Sequence, residues 1–165
     1  MNQRIYNYSI HLLARQDYSE FKLRQKLRSK KDNLPHEIEE VIQKLNERGL
    51  LREENYRRLF IRKWMLKGEA EDKIRRRGSI EKLEFDDDEF QRVSEELGFS
   101  DNDSVQKLLA KKLRSKEIPQ KKEDKLKLKM KLLRFLISKG HSYDEAKHSL
   151  DQYLSETTNP ELELP

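Results

Sequence analysis

Cysteine is missing from all 165 residues, which excludes disulfides and thiolate metal sites. Glycine and proline number only five and four, so the chain has few breaks and favours helices over a turn-rich β fold. Hydrophobic residues make up 34% and charged residues 41%, with a mean hydropathy of −1.07. That is too polar for one thick core. No apolar run reaches the length of a membrane span, and the opening MNQRIYNYSIHLLAR has no basic segment followed by a long apolar one. There is no glycine-rich phosphate loop and no Walker lysine. His11, His36, His141 and His148 stand at no metal-ligand spacing and read as surface or half-buried polar residues. The expectation is a soluble, cytoplasmic, monomeric protein, not an enzyme, with no cofactor and no metal.

What is present is helical periodicity. Ile38, Val41, Ile42 and Leu45 recur at i, i+3, i+4, i+7, the stripe of an amphipathic helix. Gly49 follows where a helix stops in the left-handed conformation. A second helix starts almost at once, with Tyr56, Leu59, Phe60 and Trp64 expected on its inner face. So short a turn keeps the two helices close, each covering the other's stripe or a shared neighbour's.

Around that stretch the chain reads as helix triplets. Residues 5–16 place Ile5, Tyr8, Ser9, Leu12 and Leu13 along one side. A short basic helix over about 19–30 carries Leu23 and Leu27, with Asp17 or Ser19 as its cap. Pro35 suits the first turn of the third helix. The order then repeats. A helix over about 53–67 stops near Gly68, a second carries IRRR at 74–77 and encloses Gly78-Ser79, and a third opens at Asp86. There Glu89 completes a capping box and Phe85 and Phe90 stand at staple spacing. A third triplet starts at Ser100 or Asp101 with Val105, Leu108, Leu109 and Leu113 inward. Its middle helix contains a conflict, because Lys125 to Leu132 alternates strictly, as a strand would. It is too long for an ordinary strand and ends in glycine, so helix is preferred, with Leu126, Met130, Leu133 and Ile137 as its stripe. Ser142 with Glu145 caps the last helix, which carries Ala146, Leu150, Tyr153 and Leu154.

Leu23-Arg24, Ile74-Arg75 and Leu133-Arg134 occupy like places in the three triplets. The fold class expected is therefore all-α: three tandem three-helix modules at 1–50, 51–99 and 100–156, with a loose acidic tail at 157–165. Modules in tandem stack as an elongated repeat array.

Charge is unevenly placed along the chain, whose net charge is +5. Arg57 to Arg77 holds nine Lys or Arg against three acids, Glu81 to Asp103 two against ten, and Lys107 to Arg134 twelve against three. Such blocks either keep the protein in solution or form surfaces for partners. The candidate contact residues are Arg24, Arg57, Arg58, Arg62, Lys63, Arg75, Arg76 and Arg77, and separately Lys127, Lys129, Lys131 and Arg134. Guanidinium groups suit bidentate contacts to phosphate or carboxylate, and lysines attract a polyanion regardless of its sequence. Tyr56, Phe60 and Trp64 can stack on bases, but their helical spacing reads first as core. Asp86 to Glu89 can suggest a divalent metal, yet a helix cap explains it more simply.

The chain resembles the RecX family, bacterial regulators of the RecA recombinase. The resemblance is carried by LLARQDYSEFKLRQKL (12–27), ERGLLREENYRRLFIR (47–62), Lys67-Gly68 followed by Ile74-Arg75, and KLLRFLISKGHSYDEA (131–146). It implies three three-helix modules bent into an arc. It also implies binding in the groove of the RecA–single-stranded DNA filament, with inhibition of filament extension, strand exchange and ATP hydrolysis. The basic residues above would then face RecA or the DNA. Two other classes stand beside this one: a free-standing basic helical nucleic-acid-binding protein, and a helical-repeat adaptor for an unrelated acidic protein.

Overall fold

A computed structural model describes residues 1–98, 101–114 and 118–158. The described residues form nine α-helices and no strand. They gather into two compact units, residues 1–61 with 76–89, and residues 62–75 with those from 90 onward. The acidic tail lies, from 159 on, outside the described residues, as does Ser100.

In the first unit, α1 (Gln3–Leu13), α2 (Glu20–Arg28) and α3 (Pro35–Glu47) pack as a three-helix bundle. Helices α1 and α2 each start at a side chain that satisfies free amides, and α3 starts at a leucine whose own amide is taken by a glutamate of the first turn. Asn2 accepts from the Arg4 and Ile5 amides at 3.1 and 3.4 Å. Ser19 accepts from the Lys22 amide at 3.2 Å, and Glu37 takes the Leu34 amide at 3.3 Å. Ile5, Leu23, Leu27, Ile38, Val41 and Leu45 are fully buried at the centre, each contributing about 1.5–3 kcal/mol by leaving water. Along α1 the inward line runs through Tyr6 rather than Tyr8 and Leu13, which are half-buried. Arg48 draws Tyr6 in, donating to its hydroxyl at 2.8 Å while lying 5.3 Å from the ring centre.

Helix α4 (Glu53–Met65) turns a different face inward from the one the spacing suggests. Phe60 and Ile61 are buried, Tyr56 is half-buried and Leu59 is exposed. The neighbours decide the rotation. The Tyr56 hydroxyl donates to Glu81 at 2.8 Å, and the Lys22 ammonium meets the other oxygen of that carboxylate at 2.8 Å. Near the end of α5 (Glu71–Ile80), Gly78 is buried beneath the Phe85 ring, which in turn lies 6.0 Å from Phe60. A methyl group at Gly78 would collide with that ring, so the glycine admits an aromatic contact rather than breaking the helix.

In the second unit, α7 (Asp101–Leu113), α8 (Lys122–Ser138) and α9 (Tyr143–Thr158) share a core of Val105, Leu109, Leu132, Leu136, Ala146 and Leu150. The segment of alternating lysines is helical, but its stripe is shifted. Leu132, Leu133 and Leu136 are buried, while Leu126, Met130 and Ile137 are exposed. The box at α9 is closed in both directions: Glu145 accepts the Ser142 amide at 3.0 Å and Ser142 accepts the Glu145 amide at 3.3 Å. Helix α6 (Asp87–Leu97) buries Phe90 and Val93.

Two glycine turns of this unit lock together. Gly68 after α4 and Gly140 after α8 both adopt positive φ, +71° and +98°. The Ala70 amide donates to Lys139 O at 3.0 Å, His141 Nε2 donates to Gly68 O at 3.0 Å, and the Lys73 ammonium reaches Ser138 O.

Candidate functional site

Several of the candidate basic residues are held by carboxylates, and several are exposed. Arg24 is among those held. Its Nε and Nη2 meet both oxygens of Glu39 at 2.9–3.1 Å, and Nη2 also meets Glu20 at 2.7 Å. These contacts raise the Arg24 pKa, the Glu39 hydrogen bonds acting most strongly. In return the Arg24 hydrogen bond holds Glu39 below the usual carboxylate range. For Glu20, burial pushes upward, but the bonds from Arg24 and Asn46 bring the net shift downward.

Arg57 is committed too. Its Nε lies 2.8 Å from Glu89, whose side chain is 7% exposed, and the second Glu89 oxygen accepts the Asp86 amide at 2.9 Å. The acidic run is thus a helix start with an ion pair built on it. Among the described residues, no group of three or more His, Asp or Glu could hold a metal ion. Arg75 pairs with Glu71 at 2.7 Å and lies 4.6 Å from the Phe90 ring centre. Lys129 is turned to Asp151 on α9.

Arg58, Lys63, Arg76, Lys127, Lys131 and Arg134 are exposed, and Arg62 and Arg77 half-buried. Arg58 reaches Asn55 at 3.4 Å, and the Lys63 ammonium lies 5.2 Å from the Trp64 ring centre. On α8, Lys127, Lys131 and Arg134 recur at i, i+4, i+7 and form one outward basic side. Lys127 touches Asp124 at 3.6 Å in the open, a contact worth little in water. That side is well suited to a polyanion, because it presents cations without disturbing Leu132 and Leu136 behind it.

A second cationic feature has no counterpart among the residues singled out from sequence. The interlocked glycine turns and α7 enclose an open hollow of about 520 Å³. Met65, Leu66, Leu108 and Phe135 line it, together with Lys67, Lys107, Lys111, Lys112 and Lys139. The only signals in the sequence are the α7 lysines at i, i+4 and i+5 and a lysine before each of two helix-ending glycines.

Fold and surface together define a class: an all-helical protein that starts with a three-helix bundle and carries basic side chains on exposed helix faces. Comparison with known proteins narrows the class. Residues 6–45, which lie in the α1–α3 bundle, match the family described as RecX, first three-helix domain. Over 111 residues the chain is 35% identical to the Regulatory protein RecX of Clostridium perfringens (strain 13 / Type A), a match covering 65% of this chain and 49% of that protein. The chain thus spans about half the length of the curated relative it matches. Both findings support assignment to the RecX family.

Proposed function

We propose that this chain is a regulatory protein of the RecX type. It binds in the groove of RecA filaments on single-stranded DNA and inhibits filament extension, strand exchange and ATP hydrolysis. The observation that carries the reading is the match of the α1–α3 bundle to the first RecX three-helix domain, which agrees with the likeness to a curated Regulatory protein RecX. The outward basic side of α8 supports it, since a nucleoprotein filament presents phosphates and acidic side chains in long repeats. In this reading the three triplets at 1–50, 51–99 and 100–156 act as modules, the protein is cytoplasmic and monomeric, and it turns over no ATP itself. No helix among the described residues is long and apolar enough to cross a membrane.

Several weak contacts along a filament act together, because each later one forms at high effective concentration. Inhibition is therefore expected at less than one chain per RecA. The test is co-sedimentation with RecA filaments on single-stranded DNA, beside a RecA ATPase titration and RecA-free controls. Filament-dependent binding with falling ATP turnover is expected. Equal binding to naked single-stranded DNA, with RecA activity unchanged, would replace the proposal with a free-standing nucleic-acid-binding protein.

A further inference from the structure

The lysine-rimmed hollow in the second unit is separate from the α8 basic side, and its chemistry selects a ligand. We infer that it docks an acidic peptide segment that inserts one large apolar side chain between its carboxylates. The inference does not rest on the proposed filament binding.

Among the described residues, five of those lining the hollow are lysines and none is acidic. Their arrangement is fixed by the backbone: Lys107, Lys111 and Lys112 project from one stretch of α7, while Lys67 and Lys139 precede the two interlocked glycine turns. Gly68 allows this closeness, because a Cβ there would stand 2.6 Å from Leu108. Lys67, Lys111, Lys112 and Lys139 gather positive charge around one opening, which favours an incoming anion.

The floor of the hollow is apolar and partly open to water. Leu66 is 56% exposed and Leu108 and Met65 are half-buried. The volume lies in the ~300–1,000 Å³ range of ligand sites. An anion alone leaves that floor wet, whereas a leucine or phenylalanine side chain covers it.

A peptide fits the hollow better than a nucleic acid, because bases bind single-strand sites by stacking on aromatic faces. Among the described residues, the one aromatic ring lining the hollow is Phe135, and it already has the Lys112 ammonium 4.4 Å and the Lys139 ammonium 5.8 Å from its centre. The rest of the floor is aliphatic. Among the described residues the polar lining side chains are all lysines, which only donate, so a base's own N–H donors would meet no acceptor from them. Carboxylates only accept, and they match such a rim. Among the described residues the rim also lacks arginine, whose fork fits phosphate in two bonds.

The probe is a fluorescein-labelled octapeptide, Asp-Glu-Asp-Leu-Phe-Glu-Asp-Glu, titrated with the full chain by anisotropy. Its control replaces Leu-Phe by Ser-Ser at equal charge. The octapeptide should bind at least tenfold tighter than the control. Leu66→Asp and Lys111→Glu should each weaken it at least tenfold. Both positions are exposed, so folding should be kept, as circular dichroism would check. Lys127→Glu, an equal charge change on the α8 side, should alter it less than twofold. Equal binding of the two peptides, or equal loss with Lys127→Glu and Lys111→Glu, would reduce the site to diffuse charge and overturn the inference. So would displacement of the peptide by oligo-dT or by phosphatidylserine vesicles whose own binding falls with Leu66→Asp, since the hollow would then take a nucleotide or a lipid.

Discussion

Arg57 and Glu89 form a half-buried ion pair, Nε to Oε1 at 2.8 Å, in which the carboxylate also caps the start of α6 through the Asp86 amide. An arginine that sequence places on a contact surface thus carries a structural duty. Replacing Arg57 with Ala should destabilise the fold by about 1–3 kcal/mol, because it leaves a buried carboxylate without its cation. Arg58→Ala, one position away and exposed, should change stability by no more than about 0.5 kcal/mol. Urea unfolding followed by circular dichroism measures both.

Acid should weaken the first unit through the Arg24 network. Glu39 and Glu20 both titrate below their ordinary value of 4.5 when folded. The unfolded chain therefore binds more protons as pH falls through that range. The stabilisation is complete above the unfolded value and is lost as pH drops through the folded ones. The melting temperature should be nearly flat from pH 7 to about 5 and fall below about 4.5. Arg24→Gln should lower it at pH 7 and flatten the acid slope, with the two curves drawing together as the pH falls. An unchanged slope in Arg24→Gln would assign the acid sensitivity to other carboxylates.

Gly68→Ala and Gly49→Ala make a matched pair. Both positions have positive φ, +71° and +61°, so each substitution costs about 1 kcal/mol of backbone strain. At Gly49 nothing stands within 4 Å of the new methyl, whereas at Gly68 it meets Leu108. Gly68→Ala should be the more damaging by at least about 1 kcal/mol, measured as the difference in unfolding free energy. Equal losses would mean that Leu108 moves aside without cost.

Binding to filaments should depend on the outward side of α8. Replacing Lys127, Lys131 and Arg134 together with Ala should weaken co-sedimentation and make its logarithmic salt dependence shallower by about two. Helicity should be kept, since Leu132, Leu133 and Leu136 face the other way. Lys129→Ala is the contrasting variant, as it removes the ion pair to Asp151 and should act on stability more than on the salt slope. Filament binding unchanged in the triple variant would make that side a solvated surface only.

Helix positions and caps were legible from sequence because they depend on local chemistry. Ser19, Ser142 and Glu145 act as their spacing suggests, and α8 is a helix despite its alternation. The direction each helix faces was less legible. In α8 the alternation supplies apolar residues on several sides, and packing on Ala146 and Leu150 of α9 selects Leu132 and Leu136 over Leu126 and Met130. In α4 the selection of Ile61 over Leu59 is made by partners many residues away. The same limit applies to the candidate site. Composition identifies basic blocks, whereas it takes the positions of Glu39, Glu89 and Asp151 to show that Arg24, Arg57 and Lys129 are held in ion pairs. The hollow was hidden because its lysines come from three separate stretches of chain.

The hydrogen bond between His141 and Gly68 joins residues 73 positions apart. Contacts that distant make their own demand during synthesis. The α1–α3 bundle draws its core from residues 5–51 and can form while the chain is still emerging. Residues 62–75 are made next, but the turn that locks them arrives only with Lys139 to His141. For that interval Gly68 and its neighbours wait without their final partners. A pause in translation between these points, or a stop codon there, would leave a finished bundle attached to an unfinished one.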